Sequence, residues 1–348
     1  MQDLSNSNQN FTKRIGRDVI KDLPKVSVII PAYKVAAFIV ETLDSVAAQT
    51  FLNYETIVIN DGSPDSAEFE NVLQPFFEQI IYLKQANKGA STARNTGIEH
   101  SRGELLAFLD GDDIWLPGFL ESQVKFLETN NYDLVYADAH LFGEPAFAGQ
   151  NFMQAAPSDG EANFESLLDF RCNILLSSTV ARKEAVLNAG RFEPALPRAM
   201  DFNLWLKMSH RGSRLGYQKK ILLKYRVRLD SISGDSIQRI QRELDSFDRI
   251  VEMIDLNREQ EDIVRRQRER LRADMEVERG KSFLLQEDFA ASKKAFEKAN
   301  EYRRSKYLYL IISLIKIAPR LLLRVYKGRR KYEIVFIPST EKKTETEV

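Results

Sequence analysis

The apolar run Leu105-Leu-Ala-Phe-Leu109 is followed at once by Asp110-Gly-Asp112-Asp113. Three carboxylates within four residues repel one another in apolar surroundings, so this stretch calls for a positive counter-charge. A divalent cation such as Mn2+ or Mg2+ prefers oxygen ligands, and would bridge diphosphate oxygens and stabilise a departing phosphate. Asp110 and Asp112 are together the candidate ligands, because the glycine between them implies a tight turn that exposes both. Asp113 can equally well serve the start of the helix that follows, where acidic side chains are favoured. Another carboxylate, Asp61, ends the run Thr56-Ile-Val-Ile59 within the turn sequence Asn60-Asp-Gly-Ser63.

These acids need elements that bring them to one rim. Short β-branched or apolar runs predict strands at Val26–Ile30, Thr56–Ile59, Ile80–Leu83, Leu105–Leu109 and Leu134–Tyr136, with later strands at Leu175–Ala181 and Ile221–Tyr225. Helical spacing predicts helices over Phe38–Thr50, Phe69–Phe77, Ala90–Glu99, Trp115–Thr129, Glu165–Cys172, Glu184–Ala189 and Phe202–His210. The alternation reads as βαβ units and an α/β sandwich, and the nearly all-apolar Leu105–Leu109 as a parallel strand covered on both faces. In such sheets ligands bind outside the carboxyl ends of the strands, where Asp61 and Asp110 fall. Arg94, on the helix after the Asn87-Lys-Gly89 turn, is placed to meet a base or a phosphate.

The chain has 348 residues, 43% of them hydrophobic, and 50 basic against 50 acidic side chains. Zero net charge argues against a dedicated nucleic-acid binder. The single cysteine, Cys172, suits a reducing compartment, and neither a signal-peptide core nor a membrane-length apolar run is present. A cytoplasmic protein is expected, peripheral on the inner face of the plasma membrane if its C-terminal segment meets lipid. The expected organisation is a flexible leader at 1–23, a catalytic domain at 24–232, a helical region at 235–330 and a disordered tail at 331–348. His100, His140 and His210 have no partnering motif, and no G-x-G-x-x-G follows the first strand, which excludes a dinucleotide fingerprint.

Several separated blocks, in order, resemble the family 2 glycosyltransferases over about residues 25–225: Val26-Ser-Val-Ile-Ile-Pro-Ala-Tyr33, Ser45-Val-Ala-Ala-Gln-Thr50, Ile57-Val-Ile-Asn-Asp-Gly-Ser63, Asn87-Lys-Gly-Ala-Ser-Thr-Ala-Arg-Asn-Thr-Gly97 and Ala107-Phe-Leu-Asp-Gly-Asp-Asp113. The resemblance implies the GT-A fold, an α/β/α sandwich that binds a nucleotide sugar, here with a helical C-terminal extension. It implies that Pro31, Ala32 and Tyr33 lie against the nucleotide base, that Asp61 accepts a hydrogen bond from a pyrimidine, and that Arg94 helps hold the nucleotide. Asp110 would lie near the ribose and Asp112 on the metal beside the diphosphate. Sugar transfer also needs a base for the acceptor hydroxyl. The family's usual base matches Asp201, in Ala199-Met-Asp-Phe-Asn-Leu-Trp-Leu206, although an N-cap role before Phe202 suits it too. The family commonly has glutamate where this chain has Met200, and often a second aspartate where it has Asn203. The implied activity is inverting transfer from a UDP-sugar to a glycan, lipid-linked or protein hydroxyl. The alternative is a catalytically weak, nucleotide-binding interaction module. A nucleotidyltransferase is disfavoured by Pro31-Ala-Tyr33, where such enzymes carry a glycine-rich basic loop.

From Ile237 onward the texture becomes helical, rich in Glu, Arg, Lys and Gln, with Phe289, Ala295, Phe296 and Ala299 spaced either like half a tetratricopeptide repeat or like a plain helical hairpin. Tyr302–Lys331 holds ten Lys or Arg and no Asp or Glu around the apolar Tyr307–Ile315. That composition suits an anionic membrane surface, or a helix packed on the protein or in a dimer contact.

Overall fold

The structure is a computed structural model and describes residues 12–15, 23–143, 149–196, 200–228 and 236–329. In chain order its first part comprises β1 (Thr12–Ile15), β2 (Val26–Ala32), α1 (Ile39–Ala47), β3 (Tyr54–Asp61), α2 (Ser66–Val72), β4 (Ile81–Gln85), α3 (Ala90–His100), β5 (Leu105–Phe108), β6 (Ile114–Trp115), α4 (Phe119–Asn130) and β7 (Leu134–Gly143). There follow α5 (Phe152–Ala155), α6 (Phe164–Leu168), β8 (Val180–Arg182), α7 (Lys183–Asn188), α8 (Met200–His210) and β9 (Leu215–Val227). The rest is helical: α9 (Ser236–Met253), α10 (Arg258–Leu285), α11 (Phe289–Arg303), α12 (Lys306–Ile317) and α13 (Pro319–Arg329).

The strands form one sheet in the order β1-β4-β3-β2-β5-β8-β7-β9-β6. β4, β3, β2 and β5 are mutually parallel, and β8 runs antiparallel between β5 and β7. Side chains alternate between two cores. Ile29, Ile57 and Ile59 face one side with Ala93 and Ile98 of α3; Val28, Ile30 and Val58 face the other with Ile39 and Leu43 of α1. Both faces are covered, which is why β2 and β5 read as nearly unbroken apolar runs. From β2 the chain winds outward through β3 and β4, then returns to place β5 on the opposite side. The strand order therefore reverses at the β2/β5 boundary, and a crevice opens at their carboxyl ends.

Several elements differ from the sequence expectation; the helix expected from Trp115 begins at Phe119, and Trp115 itself lies in β6. β7 and β9 run far beyond Leu134–Tyr136 and Ile221–Tyr225, because they pair in parallel along their length with register shifts at Ala137–Ala139. That pairing carries exposed Lys219 and Lys220 within a strand, so an apolar pattern alone stops short. Leu175–Ala181 splits into a 3-10 turn at Leu176–Ser178 and β8. Thr12–Ile15, inside the expected leader, pairs antiparallel with β4. The expected disordered tail lies outside the described residues.

The helical region packs on the sandwich through α9, whose Phe247 meets Phe170 and Phe202 edge-on. α10 and α11 form an antiparallel hairpin, tied by Ser292 Oγ donating to the Gly280 carbonyl at 2.8 Å and by Lys298–Glu276. A Cβ at Gly280 would lie 2.9 Å from the Phe296 ring, so glycine sets how closely the two helices approach.

Candidate active site

Asp110 lies two residues past the end of β5, its backbone N–H donating to Ser177 Oγ at 3.1 Å. Its carboxylate forms an ion pair with Arg94, whose side chain is buried. Arg94 reaches it because α3 lies close to the sheet. A Cβ at Gly97, one turn along, would sit 2.6 Å from Ile29 Cγ2 and 3.0 Å from Ile59 Cδ1. The sulfur of Met200 stands 3.3 Å from Arg94 Nη1 and 3.0 Å from Ser91 Oγ. A neutral thioether thus occupies a place beside the guanidinium that a glutamate would charge. Asp201, half-buried in the first turn of α8, has its pKa raised by burial and by Asp110. The N–H groups of Phe202 and Asp201 itself, and the charge of Arg94, oppose that rise. Asp110, Arg94 and Asp201 therefore form one electrostatic group.

A second group gathers around Asp112. Arg228 Nη1 lies 3.3 Å from Asp112 Oδ2, and Arg226 Nε donates to the Asp112 carbonyl at 2.8 Å. Burial and Asp110 raise the Asp112 pKa, while Arg228 and Arg226 hold it back. Asp113 is fully buried. Its Oδ1 accepts the Arg226 backbone N–H at 2.9 Å, and its carbonyl accepts from Thr42. Burial, then Asp112 and Asp110, push the Asp113 pKa well up. Neither arginine is a loose surface charge. Arg226 sits over both Phe142 (4.4 Å) and Phe38 (4.8 Å) and reaches Glu41 at 2.5 Å, and Arg228 lies over Phe38 at 4.6 Å. Tyr225 completes the group: after burial, its pKa is driven upward by Asp113, Asp110, Asp112 and Asp201, so all four carboxylates bear on its hydroxyl.

The remaining candidates lie along the same rim. Tyr33, just past β2, is 45% exposed, with Lys34 Nζ 5.5 Å from its ring centroid. Lys34 adopts a left-handed φ of 56° and donates its N–H to Ser63 Oγ at 2.7 Å, joining the turn after β2 to the turn after β3. Pro31 and Ala32 are the last β2 residues beneath it. Asp61 is buried. Its Oδ1 accepts from Gln85 Nε2 (2.7 Å) and the Lys88 N–H (2.9 Å), and its Oδ2 from the Gly89 N–H (2.8 Å). It shapes the turn leading into α3 and hence the placement of Arg94.

Tyr225, Ser177 and Phe38 carry no recognisable motif, and Arg226 and Arg228, which follow the late strand expected at Ile221–Tyr225, suit a phosphate contact or a plain surface in sequence. The one available hint was their equal parity after a late strand. Trp205 is buried against Phe192, His210 lies against Phe164, and His100 and His140 bond locally, so none joins the rim.

The positive counter-charge that the acidic stretch calls for is supplied in part by Arg94, Arg226 and Arg228. Among the described residues no group of three or more His, Cys, Asp or Glu forms a metal cage. Asp110 and Asp112 do offer two oxygen donors, the protein contribution that Mg2+-type ions commonly accept when phosphates and waters complete their shell.

The sequence profile of "Glycosyl transferase family 2" matches residues 27–168. An Escherichia coli protein, "UDP-Glc:alpha-D-GlcNAc-diphosphoundecaprenol beta-1,3-glucosyltransferase WfgD", is 31% identical over 232 residues, covering 65% of this chain and 87% of that protein. The chain belongs to glycosyl transferase family 2. An "Uncharacterized glycosyltransferase" of Rickettsia felis is 34% identical over 209 residues, 58% of this chain. The match spans about a third of that Rickettsia protein's length (34%). Among solved structures, the mannosyltransferase PcManGT from Pyrobaculum calidifontis, in complex with GDP-Man and Mn2+, superposes with a TM-score of 0.58 at 18% identity, covering 90% of this chain and 84% of that one. S. aureus TarS 1-349 in complex with UDP-GlcNAc gives 0.55 at 16% identity, covering 88% and 91%. At these identities the likeness concerns the fold, which is the GT-A-type sandwich with its helical extension.

Proposed function

We propose that this family 2 member is an inverting glycosyltransferase that moves a sugar from a nucleoside-diphosphate donor, with UDP-sugars the first choice, to a hydroxyl of a glycan or lipid-linked acceptor. The observation that carries this reading is the convergence of Asp110, Arg94 and Asp201 at the strand-order reversal, with Asp112 and two further arginines alongside. The lipid-linked option draws support from the diphosphoundecaprenol acceptor in the E. coli relative's name. The exposed Tyr33 ring offers a face for the base. Asp61, with three of its roughly four acceptor sites used by the protein, keeps room for one more donor. Arg94 and Arg228 can exchange their carboxylate partners for phosphate oxygens, which suit a guanidinium equally well. A divalent cation held by Asp112 and Asp110 would add Lewis-acid stabilisation of the leaving diphosphate. Asp201, whose raised pKa makes it a better proton acceptor than an ordinary aspartate, takes the acceptor proton as the oxygen attacks the anomeric carbon from the face opposite the leaving group.

A weakly active, nucleotide-binding role is the second reading, and Met200 is the observation that favours it. Without a carboxylate at that position, Arg94 is balanced by Asp110 in direct contact and by Asp201 only through space. The two readings separate in one experiment. Nucleotide sugars are screened by thermal shift with and without Mn2+, then turnover is measured for wild type, Asp112→Ala and Asp201→Asn. The transferase reading expects Asp201→Asn to keep the donor-induced shift and lose transfer by about a hundredfold or more. Wild-type turnover in that variant would remove Asp201 from the mechanism. Donor binding without turnover in the wild type would leave the second reading standing.

A further inference from the structure

α12 has two apolar faces where packing requires one. Leu308, Ile312 and Ile315 are buried against Phe296 and Ala299 of α11. On the neighbouring face, Tyr307, Leu310, Leu314 and Ile317 recur at intervals of three, four and three residues and form a single stripe. Along it Tyr307 is 64%, Leu310 56% and Ile317 83% exposed. After the break at Ala318, Leu321 and Val325 of α13 are exposed as well. Isolated exposed apolar residues need no explanation, but a continuous row of this kind marks a contact surface.

The charges around this row favour one kind of partner. Lys306, Lys316, Arg320, Arg324 and Lys327 are all exposed, and the sequence from Tyr302 to Lys331 contains no acidic residue. The chain as a whole is neutral, so that segment's ten positive charges leave the remainder with ten negative charges in excess. An anionic surface attracts this end and repels the rest, which orients the molecule as well as binding it. No described helix is long and apolar enough to cross a membrane, so the contact is interfacial.

We propose that the exposed faces of α12 and α13 lie in the headgroup layer of an anionic phospholipid bilayer. The apolar row enters the acyl boundary, and the flanking lysines and arginines meet lipid phosphates. A second copy of the chain would present the same positive face to itself, so like-charge repulsion opposes the alternative of a symmetric dimer through this surface. The inference is independent of the transferase reading, because it uses none of the residues at the sheet rim.

The test is co-sedimentation of the full chain with vesicles of pure phosphatidylcholine, or of phosphatidylcholine containing about one-third phosphatidylglycerol. Binding to the anionic vesicles alone, weakened by salt, is expected. Two variants probe the two components. Leu310→Ser with Ile317→Ser removes apolar contact, and Lys316→Gln, Arg320→Gln and Arg324→Gln together remove charge. Each substitution falls on an exposed position, and unchanged thermal melting confirms folding. At roughly fivefold per basic residue near the surface, the triple variant should bind about a hundredfold more weakly. Wild-type vesicle binding in both variants, or no binding by the wild type, overturns the proposal. So does a wild-type dimer in ultracentrifugation that Leu310→Ser with Ile317→Ser converts to monomer without any vesicle binding.

Discussion

Replacing Asp61 with asparagine changes one atom and tests how the nucleotide-side rim is built. The carboxylate accepts three hydrogen bonds, two at Oδ1 and one at Oδ2, and two of the donors are main-chain N–H groups of the turn that starts α3. An amide accepts at one end only. Its best orientation keeps the oxygen facing Gln85 and Lys88 and turns the NH2 toward the Gly89 N–H, so donor meets donor. One bond is lost and the remaining two lose their charge assistance. A charge-assisted bond contributes about 1.5–3 kcal/mol against about 0.5–1.5 for a neutral one, and a stranded buried donor costs about 1–3 kcal/mol. Gly89 is half-exposed, so its stranded N–H counts at the low end. Counting the broken bond once, through its stranded donor at about 1 kcal/mol, and the lost charge assistance of the other two at about 1–1.5 kcal/mol each, the expected destabilisation is about 3–4 kcal/mol, seen as a lower urea midpoint with an unchanged slope. Nucleotide affinity, measured by titration calorimetry at a temperature where both proteins are folded, should fall as well, because Arg94 rides on the same turn. An Asp61→Asn protein within about 0.5 kcal/mol of wild type would show that the turn does not depend on the carboxylate, and the proposed link from Asp61 to Arg94 would fail.

Two further outcomes follow from the carboxylates. Burial raises the Asp201 pKa, so kcat/KM should fall with decreasing pH at a value above the ordinary aspartate pKa of about 3.9. That limb should persist in Asp112→Asn, whose own raised group would otherwise compete for the assignment, and an acidic limb lost in Asp112→Asn would transfer it to Asp112. For Asp113, a raised folded-state pKa means the native chain holds this proton more tightly than the unfolded one. The associated stability is complete below the unfolded pKa of about 3.9 and is lost as pH rises through the folded value. Asp113→Asn keeps the acceptor for the Arg226 N–H, so it should melt with wild type at acid pH and above it at pH 8 or so; a variant less stable than wild type at the higher pH contradicts this.

Much of the sandwich could be read directly from the chain. Strand and helix are set by local stiffness and by the period at which apolar side chains recur, and the runs at Val26–Ile30 and Leu105–Leu109 state their own burial. An acid placed immediately after such a run has to emerge at the strand's carboxyl end, so Asp61 and Asp110 were locatable from adjacency alone. Their partners were not. Arg228 meets Asp112 across 116 positions, and Arg94 meets Met200 across 106. Both meetings depend on how β9 pairs with β7 and how α8 packs beside α3. Those arrangements come from the summed packing of the whole core, where no individual residue pattern carries the information. For the same reason the acidic cluster, read alone, called for a metal, whereas the folded chain brings three arginines to it. Local sequence decides which charges stand at the rim; only the closed sheet decides what neutralises them.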